Sequence, residues 1–287
     1  MKLPCLRRVR YRGHYIKHNT RSTFPKDIVF FDTETTRSYW RDGMFIHKLR
    51  LGIGLHVILD KDANIVRKRW FMFRTPEEFY EESTKFFKKK SRRYLIAHNA
   101  DFDVNVLGLL DLLPKKGWEC RKWCIDSSRF FAIYRKNDRT LYLLDSMNYF
   151  KTSIAKMGKI IGLPKLNVDP LTAPDHVLIP YCQRDVEILA RFFIHFIRFL
   201  KSHNFGVFAP TIAQLSMNLF RHKYMKHKIL VHSHTEAKKA ERNAYFGGRT
   251  EAWYIGELHE ELFMVDFNSL YPSVMRDFEY PTRLLFH

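Results

Sequence analysis

Two carboxylates one residue apart, Asp32 and Glu34, close an apolar run from Ile28 to Phe31. Side chains alternate faces along a strand, so Asp32 and Glu34 point toward a common ligand while Thr33 turns away. Two further acidic stations follow, Asn99-Ala100-Asp101-Phe102-Asp103 and Tyr181-Cys182-Gln183-Arg184-Asp185. Brought together, Asp32, Glu34, Asp103 and Asp185 would repel one another and raise their pKa values. Two divalent cations about 3.5–4 Å apart would remove that repulsion and clamp the attacking and leaving oxygens of a phosphodiester. The donors are hard oxygens, so Mg²⁺ is the expected ion, with Mn²⁺ as the alternative. Tyr181 precedes Asp185 by one helical turn and shares its face, where a phenol can hold the attacking water in line. The implied chemistry is metal-dependent hydrolysis of a terminal phosphodiester.

The elements that must carry these groups are legible from periodicity. Ile28 to Asp32 reads as a buried strand, with Leu49 to Leu59 and Ile65 to Phe73 as partners joined through the polar turn at 60–64. Thr75-Pro76-Glu77-Glu78 is a capping box with proline at the first helical position, and its helix is expected to run to Lys88-Lys89-Lys90. Tyr94 to Ala97 is another strand, and Val104 to Leu113 a helix stopped by Pro114. Phe130 to Tyr134 and Leu141 to Asp145 form a hairpin, and Ser153 to Ile161 a short helix ended by Gly162. A long helix from about Pro180 to Lys201 carries Tyr181 and Asp185, and the pattern breaks between Ser202 and Phe208. Each motif alone has a bland reading: a solvated loop, a helix cap, a common helical spacing. In this order, each on its expected element, they leave that reading little room.

Lys and Arg outnumber Asp and Glu by 49 to 30, a net charge of +19, which attracts polyanions. A basic shell around a carboxylate cluster is what an enzyme cutting a nucleic acid requires. The segment before Asp27 is acid-free and carries Arg7, Arg8, Arg10, Arg12, Lys17 and Arg21. It fits an organellar transit peptide or an arm gripping DNA. No apolar run is long enough to cross a bilayer, so no membrane partner is expected. Cys5, Cys120, Cys124 and Cys182 fit reduced thiols in a cytosol-like compartment. Cys120 and Cys124 lack zinc-knuckle spacing, and His222, His227, His232 and His234 offer no paired ligand pattern.

The three acidic motifs resemble the 3′→5′ exonuclease of the DEDD class with tyrosine in its third motif, the proofreading domain of family B DNA polymerases. Downstream, Tyr245-Phe246-Gly247-Gly248-Arg249 resembles the family's Tyr-x-Gly-Gly motif, and Asp266-Phe267-Asn268-Ser269-Leu270-Tyr271-Pro272-Ser273 its first polymerase motif. The resemblance implies Asp32, Glu34, Asp103 and Asp185 as metal-binding carboxylates and Tyr181 as the water-orienting phenol. It implies Asn99 and Phe102 as contacts of a frayed single-stranded 3′ end, the Phe ring offering a stacking face. Tyr245, Gly247 and Gly248 would approach DNA, and Asp266, at the end of a strand from Phe263 to Val265, would bind polymerase metal. Ser269, Leu270 and Tyr271 would line the nucleotide site, with Tyr271 packing under the incoming sugar. The compact exonuclease region is similar to the protein-primed branch of phages, linear plasmids and related viruses. Asp145-Ser146-Met147-Asn148-Tyr149-Phe150 resembles that branch's DNA-contacting element, with Met147 where Leu is usual and Ser146 as the DNA ligand. Asp145 itself reads as structural.

The expected architecture is α/β: a ribonuclease H-like mixed sheet flanked by helices, followed by an incomplete α/β polymerase palm segment. The expected division is a basic N-terminal arm over 1–26, an exonuclease domain over 27–201, and linker plus the beginning of the palm over 202–287. Nothing between Arg276 and His287 supplies the fingers lysine or the second catalytic aspartates of a polymerase. The chain therefore reads as an N-terminal piece, from a truncated or split gene, that does not extend a primer by itself. Expected partners are single-stranded 3′ ends and primer-template DNA, a terminal protein, and the remainder of the polymerase. The expected setting is the cytoplasm or host-cell compartment of a virus, phage or linear plasmid, with the mitochondrion as the alternative. A free-standing exonuclease and a non-catalytic single-strand-binding remnant are the competing readings.

Overall fold

The computed structural model describes residues 13–41, 44–126 and 128–279. Cys5 and the arginines at 7, 8, 10 and 12 lie outside the described residues. The chain divides into two compact units, one over 19–224 and one formed by 1–18 with 225–287.

The larger unit is built on a mixed sheet of seven strands. In chain order its elements begin with β2 (Asp27–Arg41), β3 (Met44–Leu59), β4 (Ile65–Phe73), α1 (Pro76–Thr84) and β5 (Arg92–Ala97); β1 (His14–Ile16) belongs to the smaller unit. There follow α2 (Ala100–Val106), α3 (Leu109–Lys115), β6 (Glu119–Asp126), β7 (Arg129–Lys136), β8 (Arg139–Asp145), α4 (Ile154–Ile160), α5 (Asp175–Ser202) and α6 (Ile212–Leu219). The spatial order is β4-β3-β2-β5-β8-β7-β6, with β2–β5 and β5–β8 parallel and the other pairs antiparallel. β2 is an interior strand, buried on both faces, which is why Ile28 to Phe31 is apolar without alternation. Ile28 and Phe30 pack with Leu189 and Phe193 of α5 on one side. Val29 and Phe31 pack with Phe79 of α1 and Val104 of α2 on the other.

Several elements depart from the sequence reading for identifiable reasons. α1 ends at Thr84, before the lysines, because Phe86 adopts a left-handed φ of 59° and Phe87 turns inward to stack on Trp118. The expected helix from Val104 to Leu113 is two helices, broken where Gly108 takes φ 56°, and Pro114 sits inside the second rather than beyond it. α5 starts at Asp175, with Pro180 accommodated within it. The hairpin of β7 and β8 turns through Asn137 and Asp138, both at positive φ, as a two-residue hairpin loop requires. β6 has no counterpart in the sequence reading, since this edge strand is largely exposed and lacks an alternating apolar pattern.

The larger unit extends beyond the break expected near 202. Phe205, Phe208, Ala209 and Leu215 pack with Leu200, and Thr23 bridges Val207, so this stretch closes the end of the larger unit. The smaller unit contains β1 (His14–Ile16) paired antiparallel with β9 (Ile229–Val231), α7 (Thr235–Asn243) and α8 (Leu270–Asp277). No strand forms at 263–265, where the backbone is irregular and the side chains exposed. Three apolar residues without a neighbouring strand to bond cannot hold an extended ladder in water. Among the described residues, no helix is long and apolar enough to cross a membrane.

Candidate active site

The parallel pairing of β2 with β5 runs from Ile28 opposite Tyr94 to Phe30 opposite Ile96, and β5 stops at Ala97. β2 runs on, so its backbone edge is open beyond that point. α2 starts at Ala100 and swings Asp103 onto this edge, where Asp103 Oδ1 accepts from the Thr33 N–H at 2.9 Å and the Thr33 hydroxyl at 2.6 Å. Thr33 does face away from Asp32 and Glu34, but it is not a bystander: it is the clamp that holds Asp103.

From the opposite layer α5 presents Tyr181, Cys182 and Asp185, all buried. The helix is registered by its first residue. Asp175 accepts from Arg50 Nε at 3.0 Å and Nη2 at 2.6 Å, and from Arg74 at 2.7 Å, while Arg50 also donates to the Ala173 carbonyl at 2.9 Å. Arg50 is the extra residue of a β-bulge, lying between the Glu34–Leu51 and Thr35–Leu49 pairs. The bulge thus aims a guanidinium at α5 one residue past the Glu34–Leu51 pair.

Burial together pushes the carboxyl pKa values upward. Burial raises Asp32 well above its ordinary value, reinforced by Asp103, Asp185 and Glu34. Burial and Asp185 push Glu34 up to about 7, against the pull of Lys165 and Arg50. Asp103 is raised by burial despite Thr33, and Asp185 by burial despite Lys165. Lys165 is a site residue that sequence reading missed. Its ammonium donates to Asp185 Oδ2 and lies 4.6 Å from the Tyr181 ring centroid. Burial would lower its pKa, but the Asp185 carboxylate overrides this and holds it above the usual lysine range. A single lysine in the proline-bearing loop at 164–174 carries no periodic signal; only its place just ahead of α5 could have marked it.

The donor set fits a divalent cation. Asp185 Oδ1 is buried and has no hydrogen-bond partner, an acceptor left for a positive charge. Ligand atoms of Asp32, Glu34 and Cys182 lie within 4.8 Å of one another. Cys182 is no ligand for a hard ion: burial raises its thiol well above the ordinary value, and the protonated sulfur donates to the Asp32 carbonyl at 3.6 Å and to Oδ2 at 3.4 Å. The oxygens of Asp32 and Glu34 therefore form the centre, flanked by Asp103 on Thr33 and Asp185 on Lys165, a set suited to Mg²⁺ or Mn²⁺.

Around this centre, Asn99 is exposed at the start of α2 with φ 64°, its N–H bonded to Asp145 Oδ1 at 3.0 Å. Asp145 also accepts from the Met147 N–H at 2.8 Å, so its role is to shape the loop. Phe102 is 38% exposed, its ring 5.4 Å from that of His47. Ser146 is fully buried, with Oγ 2.7 Å from His98 Nδ1, because the short helix after β8 turns it inward. An open groove of about 780 Å³ is bordered by His98, Asn99, Met147, Lys151, Thr152 and Lys165.

In the smaller unit Tyr245, Gly247, Gly248, Asp266, Ser269, Leu270 and Tyr271 are all exposed. Ser269, at φ 57°, caps α8, and a side chain at Gly248 would meet the Tyr271 hydroxyl at 2.9 Å. Among the described residues, Asp266 joins no cluster of metal-ligating side chains.

Residues 175–284 match the family described as DNA polymerase type B, organellar and viral. The match begins with α5, so one segment holds both Tyr181 with Asp185 and the Asp266 to Ser273 motif. That segment is similar to the family B DNA polymerases. Among solved structures it is similar to Phi29 DNA polymerase complexed with primer-template DNA and incoming nucleotide, with a TM-score of 0.54, 16% identity, and coverage of 80% of this chain and 40% of that one. A second similar structure is Phi29 DNA polymerase complexed with single-stranded DNA, with a TM-score of 0.44, 15% identity, and coverage of 67% of this chain and 34% of that one. At such identities the likeness is one of fold, and the chain spans 40% or less of those polymerases' length. No curated protein matches the chain.

Proposed function

We propose that the larger unit removes nucleotides from the 3′ end of a DNA strand by two-metal-ion hydrolysis, as the proofreading part of a family B DNA polymerase. The observation that carries this reading is the convergence of Asp32, Glu34, Asp103 and Asp185 with raised carboxyl pKa values and a buried Asp185 oxygen that lacks a donor. Asp32 and Glu34, with Asp103 and Asp185 beside them, would hold the divalent ions, preferably Mg²⁺, whose chemistry is to neutralise and polarise the scissile phosphodiester. The Tyr181 phenol orients the attacking water. Lys165, against both Tyr181 and Asp185, keeps a fixed positive charge where negative charge develops on the phosphate. Asn99 and the exposed Phe102 ring receive the unpaired terminal nucleotide.

The test is release of mononucleotides from a 3′-labelled single strand with and without Mg²⁺. Wild type should release label from the 3′ end, and the double variant Asp32→Ala/Glu34→Ala should lose about 10³-fold or more of the rate. Equal release by both preparations would expose a contaminating nuclease and leave a DNA-binding protein.

A further inference from the structure

β2 and β3 outrun the sheet that holds them. β4 accompanies β3 only as far as Gly52, and β5 leaves β2 at Phe30. From Thr35 to Arg41 and from Met44 to Leu49 the two strands pair only with each other, a ribbon projecting about 20 Å at 3.3 Å per residue. A lone two-stranded ribbon is marginal in water. This one nevertheless exposes Met44 (46%), Phe45 (53%) and Ile46 (40%), and its sequence is basic, with Arg37, Arg41 and Lys48 against Asp42.

The ribbon is rooted in the candidate site. Arg37 pairs with His47, and Tyr39 with Phe45, which sets Arg37, His47 and Phe45 on one face. The Arg37 guanidinium lies 5.8 Å from the Phe45 ring centroid. His47 Nδ1 is 2.9 Å from the Thr35 hydroxyl, and its ring stands edge-on to Phe102. Phe102, His47 and Phe45 with Arg37 thus form a line of rings and positive charge leading outward from the carboxylates.

Resting on the exonuclease reading, we propose that this ribbon grips the single strand behind its terminal nucleotide, with bases stacking on His47 and Phe45 and phosphates facing Arg37. Charge complementarity and continuity with the ring of Phe102 select single-stranded DNA as the occupant. Stacking on aromatic faces accepts any base, so the grip is indifferent to sequence.

Fluorescence anisotropy in EDTA, with 5′-labelled oligothymidylates of three and of twelve nucleotides, tests this on the full chain without cleavage. Phe45→Ala and Arg37→Ala should each weaken the twelve-mer about tenfold and leave the three-mer within about twofold, and Phe45→Tyr should retain wild-type affinity. Melting temperatures of the variants verify folding. Equal effects on both lengths, or none on either, would overturn the proposal. So would sedimentation showing that wild type self-associates and that the same substitutions dissociate it, since the ribbon would then be an interface between copies. Failure of the exonuclease reading shows separately, as absence of Mg²⁺-dependent release from either oligonucleotide.

Discussion

At Asp185 one carboxylate oxygen accepts from Lys165 and the other is buried with no hydrogen-bond donor. Replacing Lys165 by Met removes the ammonium paired with this carboxyl. Turnover on single-stranded DNA is expected to fall about 10²-fold while strand affinity in EDTA stays nearly constant, a split read from steady-state rates and anisotropy. Glu34 supplies a pH prediction. Its folded pKa of about 7 lies above the ordinary glutamate value near 4.3, so its contribution to stability is complete below that value and is lost as pH rises through about 7. Mg²⁺ competes with that proton. Calorimetry near pH 6.5 in buffers of different ionisation enthalpy should show proton release on Mg²⁺ binding, reduced in Glu34→Gln, and affinity should increase toward pH 8.

Asp27, the first acidic residue of the chain, joins four elements at the far end of the strand that carries the site. Arg93 of β5 donates to both its oxygens at 2.6 and 2.9 Å, His56 of β3 lies 2.9 Å away, and Arg93 also reaches the carbonyls of Ser83 and Lys85 at the end of α1. Burial alone would raise the Asp27 carboxyl, but His56 and Arg93 prevail and hold it below its ordinary value. The stability it contributes is present above about pH 4 and is lost as pH falls through the depressed folded pKa. Arg93→Met strands a half-buried carboxylate and should cost about 3 kcal/mol in urea denaturation. In β3, Gly52 and Gly54 lie under the rings of Phe73 and Phe71, and a Cβ at Gly52 would come 2.1 Å from Phe73 Cζ. Gly52→Ala should destabilise by about 1–3 kcal/mol and disturb Thr33, its partner across the ladder, lowering activity as well. Periodicity revealed β3, β4, β5 and the body of α5 because each buries a regular face. It missed the break at Gly108 and the early end of α1, where a left-handed residue and an inward-turning aromatic override the local pattern.

Across the whole chain the net charge of +19 sets the field that a polyanion would meet. If about three to five phosphates are neutralised on binding, log affinity for a single strand should fall with log salt at a slope of about −2 to −3.5, readable by anisotropy between 50 and 200 mM NaCl. A flat profile would mean that the basic surface is solvated and not in contact with DNA. The order and spacing of the acidic motifs were legible in the chain, because strand alternation and helical turns are local rules. The early stop of β5 that frees an edge for Asp103, the Thr33 clamp, the capture of Asp185 by Lys165, the burial of Ser146 and the protonated thiol under Asp32 all join residues far apart in the chain. Such contacts depend on which layers pack on which face of the sheet, and only the folded structure decides that.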